Sequence, residues 1–169
     1  LFRSVSATDY RDEIRISQNI LKQLTDSYRR IRNTCRFLLG NLHDFDPAKD
    51  AVPWRRQRDI DRFALHRLQM LIKRLRKAYD DYEFHVIYHA LHNYCALDLS
   101  AFYLDILKDR LYTSRPDSAA RRSAQTSLFF ILDGIVRLMA PILAFTAEEI
   151  WQLIQGGTEQ HPSVHGPLL

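Results

Sequence analysis

Arginine is the residue type that most of this chain's chemistry would have to use. Nineteen of its twenty-four basic residues are Arg. The planar guanidinium donates two parallel hydrogen bonds and so matches paired phosphate or carboxylate oxygens. These cations are grouped. Residues 54–77 hold Arg55, Arg56, Arg58, Arg62, Arg67, Lys73, Arg74, Arg76 and Lys77 against Asp59 and Asp61. Residues 17–42 hold Lys22, Arg29, Arg30, Arg32 and Arg36 against Asp26, whereas Arg137 is the one basic residue beyond position 130. Two basic segments remote in sequence are what a polyanionic partner would select. Solvated helix faces are the other reading.

Catalytic groupings are scarce. The five glycines form no phosphate-cradling loop. Cys35 and Cys95 do not stand at zinc spacing and cannot build a disulfide framework, which points to a reducing compartment. His85, His89 and His92 share one helix face, but no nearby Cys or suitably phased acid completes a ligand set, and no metal is expected. Glu148 and Glu149 are adjacent, so on a helix they diverge rather than form an acid–base pair.

The elements that position these residues read as helices. Ile20, Leu24, Ile31, Cys35 and Leu38 recur at helical spacing after Ser17, a candidate N-cap, and Gly40 with Asn41 ends the run. A loop over 43–50 follows. A second helix is expected after Pro53 with Phe63, Leu68, Leu71, Leu75 and Ala78 inward, and a third over 82–97 with Phe84, Ile87, Leu91 and Cys95 inward. A fourth over 98–112 turns Phe102, Ile106 and Leu107 inward, and a fifth over 118–139 is capped by Asp117 and closed by Pro141. Thr146 with Glu149 reads as a capping box that opens the last helix, carrying Ile150, Trp151 and Ile154. Residues 1–16 lack a helical period, and residues 156–169 read as a tail. The fold class is therefore all-α, an antiparallel bundle of five to six helices over 17–155. The 169 residues suffice for one domain. No apolar run approaches the ~18 residues of a membrane span. With Leu1 in first place and no signal-peptide layout, an excerpt of a longer chain is expected.

Several strings carry a family resemblance. Ser6-Ala7-Thr8-Asp9-Tyr10-Arg11, Tyr28-Arg29-Arg30-Ile31-Arg32-Asn33-Thr34-Cys35-Arg36, Asp98-Leu99-Ser100-Ala101-Phe102-Tyr103, Arg121-Arg122-Ser123-Ala124-Gln125-Thr126 and Ala140-Pro141-Ile142-Leu143 follow one another as in isoleucyl-tRNA synthetases of the bacterial or organellar type. They resemble the passage from that family's catalytic domain (1–16) through its helical anticodon-binding domain (17–155) towards its C-terminal module (156–169). The valyl, leucyl and methionyl enzymes share the bundle but match less well.

The resemblance implies a cytoplasmic ligase that joins isoleucine to its tRNA with ATP and Mg²⁺, with zinc in the C-terminal module. The His-Ile-Gly-His and Lys-Met-Ser-Lys-Ser signatures that handle ATP are missing from these residues, so the excerpt alone is expected to be inactive. The partners implied are the anticodon stem-loop of isoleucine tRNA and the enzyme's other domains. Arg32, with Tyr28 one turn earlier, and the stretch Lys108–Arg110 occupy the places where relatives meet the anticodon. Stacking or base-edge roles fall to Arg32, Asn33 and Arg110, and phosphate roles to Arg29, Arg36, Lys108, Arg121 and Arg122. The alternatives at this stage are a stand-alone RNA- or protein-binding module and a purely structural scaffold.

Overall fold

The computed structural model describes residues 18–155 and 163–165. The expected junction over 1–16, the Ser17 cap and most of the tail over 156–169 lie outside the described residues. Within them the chain is helical and contains no strand. The helices are α1 (Gln18–Gly40), a single turn α2 (Pro47–Asp50), α3 (Asp59–Asp80), α4 (Phe84–Asn93), a π-helical segment (Tyr94–Tyr103), α5 (Leu104–Thr113), α6 (Ala119–Met139) and α7 (Ala144–Ile154). The chain is an all-α bundle, as its apolar spacing predicts.

Helix α6 is the central post, and it packs on α1, α2, α3, α5 and α7. Most of its inner positions are fully buried, among them Leu128, Ile131, Leu132 and Ile135. Ser118 caps it by accepting from the Arg121 N–H, so the cap is one residue later than the expected Asp117. The contacts between helices set their directions. Asp61 meets Ser123 and Tyr79 meets the Leu138 carbonyl, so α3 and α6 run parallel. Arg67 meets Asp98 and Arg110 meets Asp61, so the stretch 84–113 runs against α3. The result is an up-down-up-down bundle, with α7 laid along α1.

Three expectations are corrected. The second long helix starts at Asp59 and not after Pro53, because the segment before it is tied to α6 and makes only a 3₁₀ turn at Trp54–Arg56. Phe63 is exposed rather than inward, and packs edge-on against Phe102 at 6.0 Å. The third and fourth helices are one unbroken stretch whose middle is a π-helix. A π-turn takes up more residues than an α-turn, which rotates the later side chains around the axis. Tyr103 and Leu104 therefore point into the core, while Phe102 is 43% and Ile106 51% exposed.

The Thr146–Glu149 capping box does not form. Helix α7 begins at Ala144 without a side-chain cap, and Thr146 and Glu149 face α1. Cys35 and Cys95 are buried free thiols, and burial pushes the Cys35 thiol up to about 12, which keeps it protonated and inert. No helix among the described residues is long and apolar enough to cross a membrane.

Candidate nucleic-acid interface

The inward stripe of α1, Leu24, Ile31, Cys35 and Leu38, decides where its polar residues go. Arg29, Arg32 and Arg36 lie three and four residues apart, one above the other on the outer face, with Asn33 beside them. All four are exposed. At 1.5 Å per residue the row spans about 10 Å. Arg29 has only a loose pair with Asp26 at 3.7 Å. Arg32 donates to Glu149 of α7 at 3.3 Å, and both side chains remain more than half exposed. Arg36 and Asn33 have no side-chain partner among the described residues. Such a face can grip phosphates through guanidinium forks, and Asn33 can offer a donor and an acceptor to one base edge. Tyr28 is half-buried, and its hydroxyl lies 3.0 Å from Thr146 Oγ1. It holds α7 against α1, below the row.

The other expected site residues divide. Lys108 is exposed on α5 and pairs with Asp105 at 2.7 Å, which raises its pKa. The Arg110 guanidinium instead turns inward. It donates to both oxygens of Asp61, at 2.9 and 2.6 Å, and only 11% of its side chain is exposed. Arg121 clasps both oxygens of Asp44 at 3.1 and 3.0 Å. Arg122 donates to the Asp44 carbonyl at 2.7 Å and to Gln125 Oε1 at 2.9 Å, and pairs with Asp50 at 3.4 Å. The fold thus brings Arg29, Arg32, Asn33 and Arg36 together on one surface. It assigns Arg110, Arg121 and Arg122 to contacts that hold the bundle and its α1–α3 loop.

Their partners are the residues that sequence reasoning missed. Asp61 is wholly buried and accepts from Tyr103 at 2.8 Å and Ser123 at 2.6 Å as well as from Arg110. A signal was present, since Asp61 falls on the same face of α3 as Ala64, Leu68, Leu71, Leu75 and Ala78. A carboxylate in an apolar stripe needs a buried partner. Asp44 carried no such mark. Burial alone would raise its pKa, but hydrogen bonds from Gln125 and Arg121 outweigh that and hold it below the ordinary range.

Two other groupings are settled by their surroundings. Burial, with His85 and His92 as neighbours, lowers the pKa of His89, and no group of three side chains among the described residues could hold a metal ion. Glu148 and Glu149 do not face each other. Glu148 binds the Ser163 hydroxyl at 2.6 Å and the Val164 N–H at 3.1 Å, pinning residues 163–165 to α7, while Glu149 serves Arg32. A groove of about 1580 Å³ runs between α3 and α6 from Trp54 to Pro141. Its Arg62, Arg76 and Arg137 are matched by Asp59, Asp80 and Asp133, so it does not select a polyanion.

Residues 61–166, which begin at the buried Asp61 and take in the core of the bundle, match the family described as the anticodon-binding domain of tRNA ligase. The chain belongs to this family. Relatives of this anticodon-binding domain include the isoleucine–tRNA ligase of Syntrophotalea carbinolica, 59% identical over 161 residues, or 95% of the chain and 17% of the relative. Those of Moorella thermoacetica and Desulforamulus reducens are 58% and 62% identical over 160 and 148 residues, covering 95% and 88% of the chain and 17% and 16% of the relative. The domain thus spans about one sixth of the length of these curated relatives. Their matches extend over most of the chain, so they reach beyond the family match to include at least part of the basic row on α1.

Proposed function

We propose that this domain binds the anticodon stem-loop of isoleucine tRNA as one part of an isoleucine–tRNA ligase. The observation that carries the reading is the exposed row Arg29, Arg32, Asn33 and Arg36 on α1, in a chain that belongs to the anticodon-binding family. The names of the relatives supply the amino acid. Unpaired anticodon bases can be splayed out and recognised by stacking and by their edges. Arg32 and Asn33 take those bases, and Arg29, Arg36 and Lys108 take phosphates. Arg110, Arg121 and Arg122 act indirectly, by fixing the helices that carry the reading face. ATP-dependent joining of isoleucine to the tRNA, in the cytoplasm, belongs to the whole ligase. Mg²⁺ and zinc are assigned to no residue of this chain, because the described residues hold no three-ligand group.

The test is titration of the domain with isoleucine tRNA and with the same tRNA carrying a swapped anticodon, at two salt concentrations. Tighter binding of the native anticodon is expected, with affinity falling steeply as salt rises. Arg32→Ala with Asn33→Ala should weaken the native complex by about 1–3 kcal/mol and narrow the gap between the two tRNAs. Equal affinity for both anticodons in the unaltered domain would overturn the reading.

A further inference from the structure

The loop between α1 and α3 ends in a short, firmly held stretch with an unusual surface. From Val52 to Arg58 the chain makes one 3₁₀ turn whose backbone is tied down along its length. The Val52 N–H donates to Thr126 Oγ1 at 2.9 Å, and the Arg58 N–H donates to Ser123 Oγ at 3.1 Å. The Gln57 side chain is buried and donates to the Val52 carbonyl at 3.0 Å, and the Arg56 N–H closes the turn on the Pro53 carbonyl at 2.8 Å. Pro53 also fixes its own φ. What this turn displays is Trp54, 53% exposed, flanked by the exposed Arg55, Arg56 and Arg58.

The charge around the turn is uncompensated. Every acid from position 44 to 61 is already engaged. Asp44 and Asp50 pair with Arg121 and Arg122, Asp46 with Lys49, Asp59 with Arg62, and Asp61 with Arg110. Arg55, Arg56 and Arg58 have no acidic partner among the described residues. An exposed Trp alone is ordinary. A Trp displayed on an immobilised turn among three unpaired arginines is a different arrangement. The indole face can stack on any base, the guanidinium forks can take the neighbouring phosphates, and little chain entropy is lost on binding because the turn is already ordered.

We propose that Trp54, Arg55, Arg56 and Arg58 form a second RNA contact, separate from the α1 row, which takes an unstacked base and its flanking phosphates from a single-stranded stretch of the bound tRNA. This rests on the reading that the domain binds tRNA. It also resolves the basic segment 54–77, since Arg62, Arg67 and Lys77 farther along it are paired with Asp59, Asp98 and Asp81.

Fluorescence reads the site directly, because the chain has only two tryptophans and the other, Trp151, is buried. The unaltered chain and its Trp54→Phe, Trp54→Ala, Arg55→Gln/Arg56→Gln and Arg32→Gln/Arg36→Gln variants are titrated with isoleucine tRNA and with a short oligouridine. Binding is followed in parallel by filter retention. The expected result is quenching in the unaltered chain that is absent from Trp54→Phe. Trp54→Ala should bind tRNA about tenfold more weakly, while Trp54→Phe, which keeps a stacking ring, loses much less. The Arg55/Arg56 pair should lower the slope of log K against log salt by about 1.4, or about 0.7 for each single-strand phosphate released.

Oligouridine binding that falls in the same variants supports a general single-strand site, and tRNA binding alone supports one shaped to tRNA. Retained tRNA with unchanged Trp54 emission and undiminished affinity in Trp54→Ala overturns the proposal. If the Arg32/Arg36 variant alone then weakens, the α1 reading stands without the loop. If the loop variants weaken while Arg32/Arg36 does not, the loop contact stands and the α1 reading falls. Failure of both RNAs to bind at low salt removes both.

Discussion

Asp61 is wholly out of water, and the guanidinium, phenol and hydroxyl that reach its two oxygens make that burial tolerable. Burial foremost, and then the neighbouring Asp61 charge, raises the Tyr103 pKa, so the phenol stays a hydrogen-bond donor. Breaking such a cluster from one side is costly because it strands a charge. Asp61→Ala should destabilise the domain by about 3–5 kcal/mol in urea unfolding, and Asp61→Ala with Arg110→Met should recover a large part of that loss. A single variant within about 1 kcal/mol of the unaltered domain would contradict this account of the cluster. Arg110→Glu would put a second carboxylate beside Asp61, so it tests folding before it can test recognition. Arg32 differs in this respect. Its exposed pair with Glu149 is worth only about 0–1 kcal/mol, so Arg32 variants report on the surface and leave the bundle intact.

At the level of helices, the closest fit lies where α3 crosses α6. A Cβ on Gly134 would lie 3.1 and 3.2 Å from the two methyls of the buried Leu68. Gly134 therefore sets how near these two helices come, and through them the distance from Asp61 to Ser123. Gly134→Val should cost about 1–3 kcal/mol in urea unfolding by forcing the helices apart. Adding Leu68→Ala should cost less than in the unaltered background, because the space it opens takes up the new side chain. Strictly additive losses would show that the contact is not shared. The π-segment works on the same scale. Its Ser100 hydroxyl donates to the Cys95 carbonyl at 2.7 Å and lies 3.3 Å from Thr34 Oγ1, which ties the widened turns to α1 below the Arg36 end of the row. Helical period alone placed Phe102 and Ile106 inside. The added residues per turn, which no local apolar pattern announces, moved them out.

For the molecule as a whole, two carboxylates link the peripheral segments to the bundle, and both are held below the ordinary range. Asp44 fastens the α1–α3 loop to α6 through Gln125 and Arg121, and Glu148 fastens residues 163–165 to α7 through Ser163 first and then Gln152. A carboxyl depressed on folding adds stability above its unfolded pKa of about 4 and loses it as pH falls through the lower folded value. Thermal midpoints should therefore hold steady from neutral pH to about 5 and then decline towards acid. Asp44→Asn should flatten part of that decline. An equal acid slope in this variant would remove Asp44 from the account. Loosening the loop by acid should also weaken RNA binding at Trp54 before it unfolds the helices, since that turn hangs from the same first turns of α6.

The amino-acid sequence by itself determined the all-α class, the inner faces of α1 and α6, the buried thiols and the outward row from Arg29 to Arg36. Helical period is a local property, and a residue's phase relative to the apolar stripe follows from counting. The family strings likewise need only order along the chain. Tertiary structure alone decided which arginines are free. The same residue type anchors a buried carboxylate at Arg110, holds a loop at Arg121 and stands unpaired at Arg55. The deciding partners lie 49 residues away for Arg110, 77 for Arg121 and 117 for Arg32. Which carboxylate meets which guanidinium depends on how the chain reverses and packs, and side-chain spacing within one helix carries no record of that.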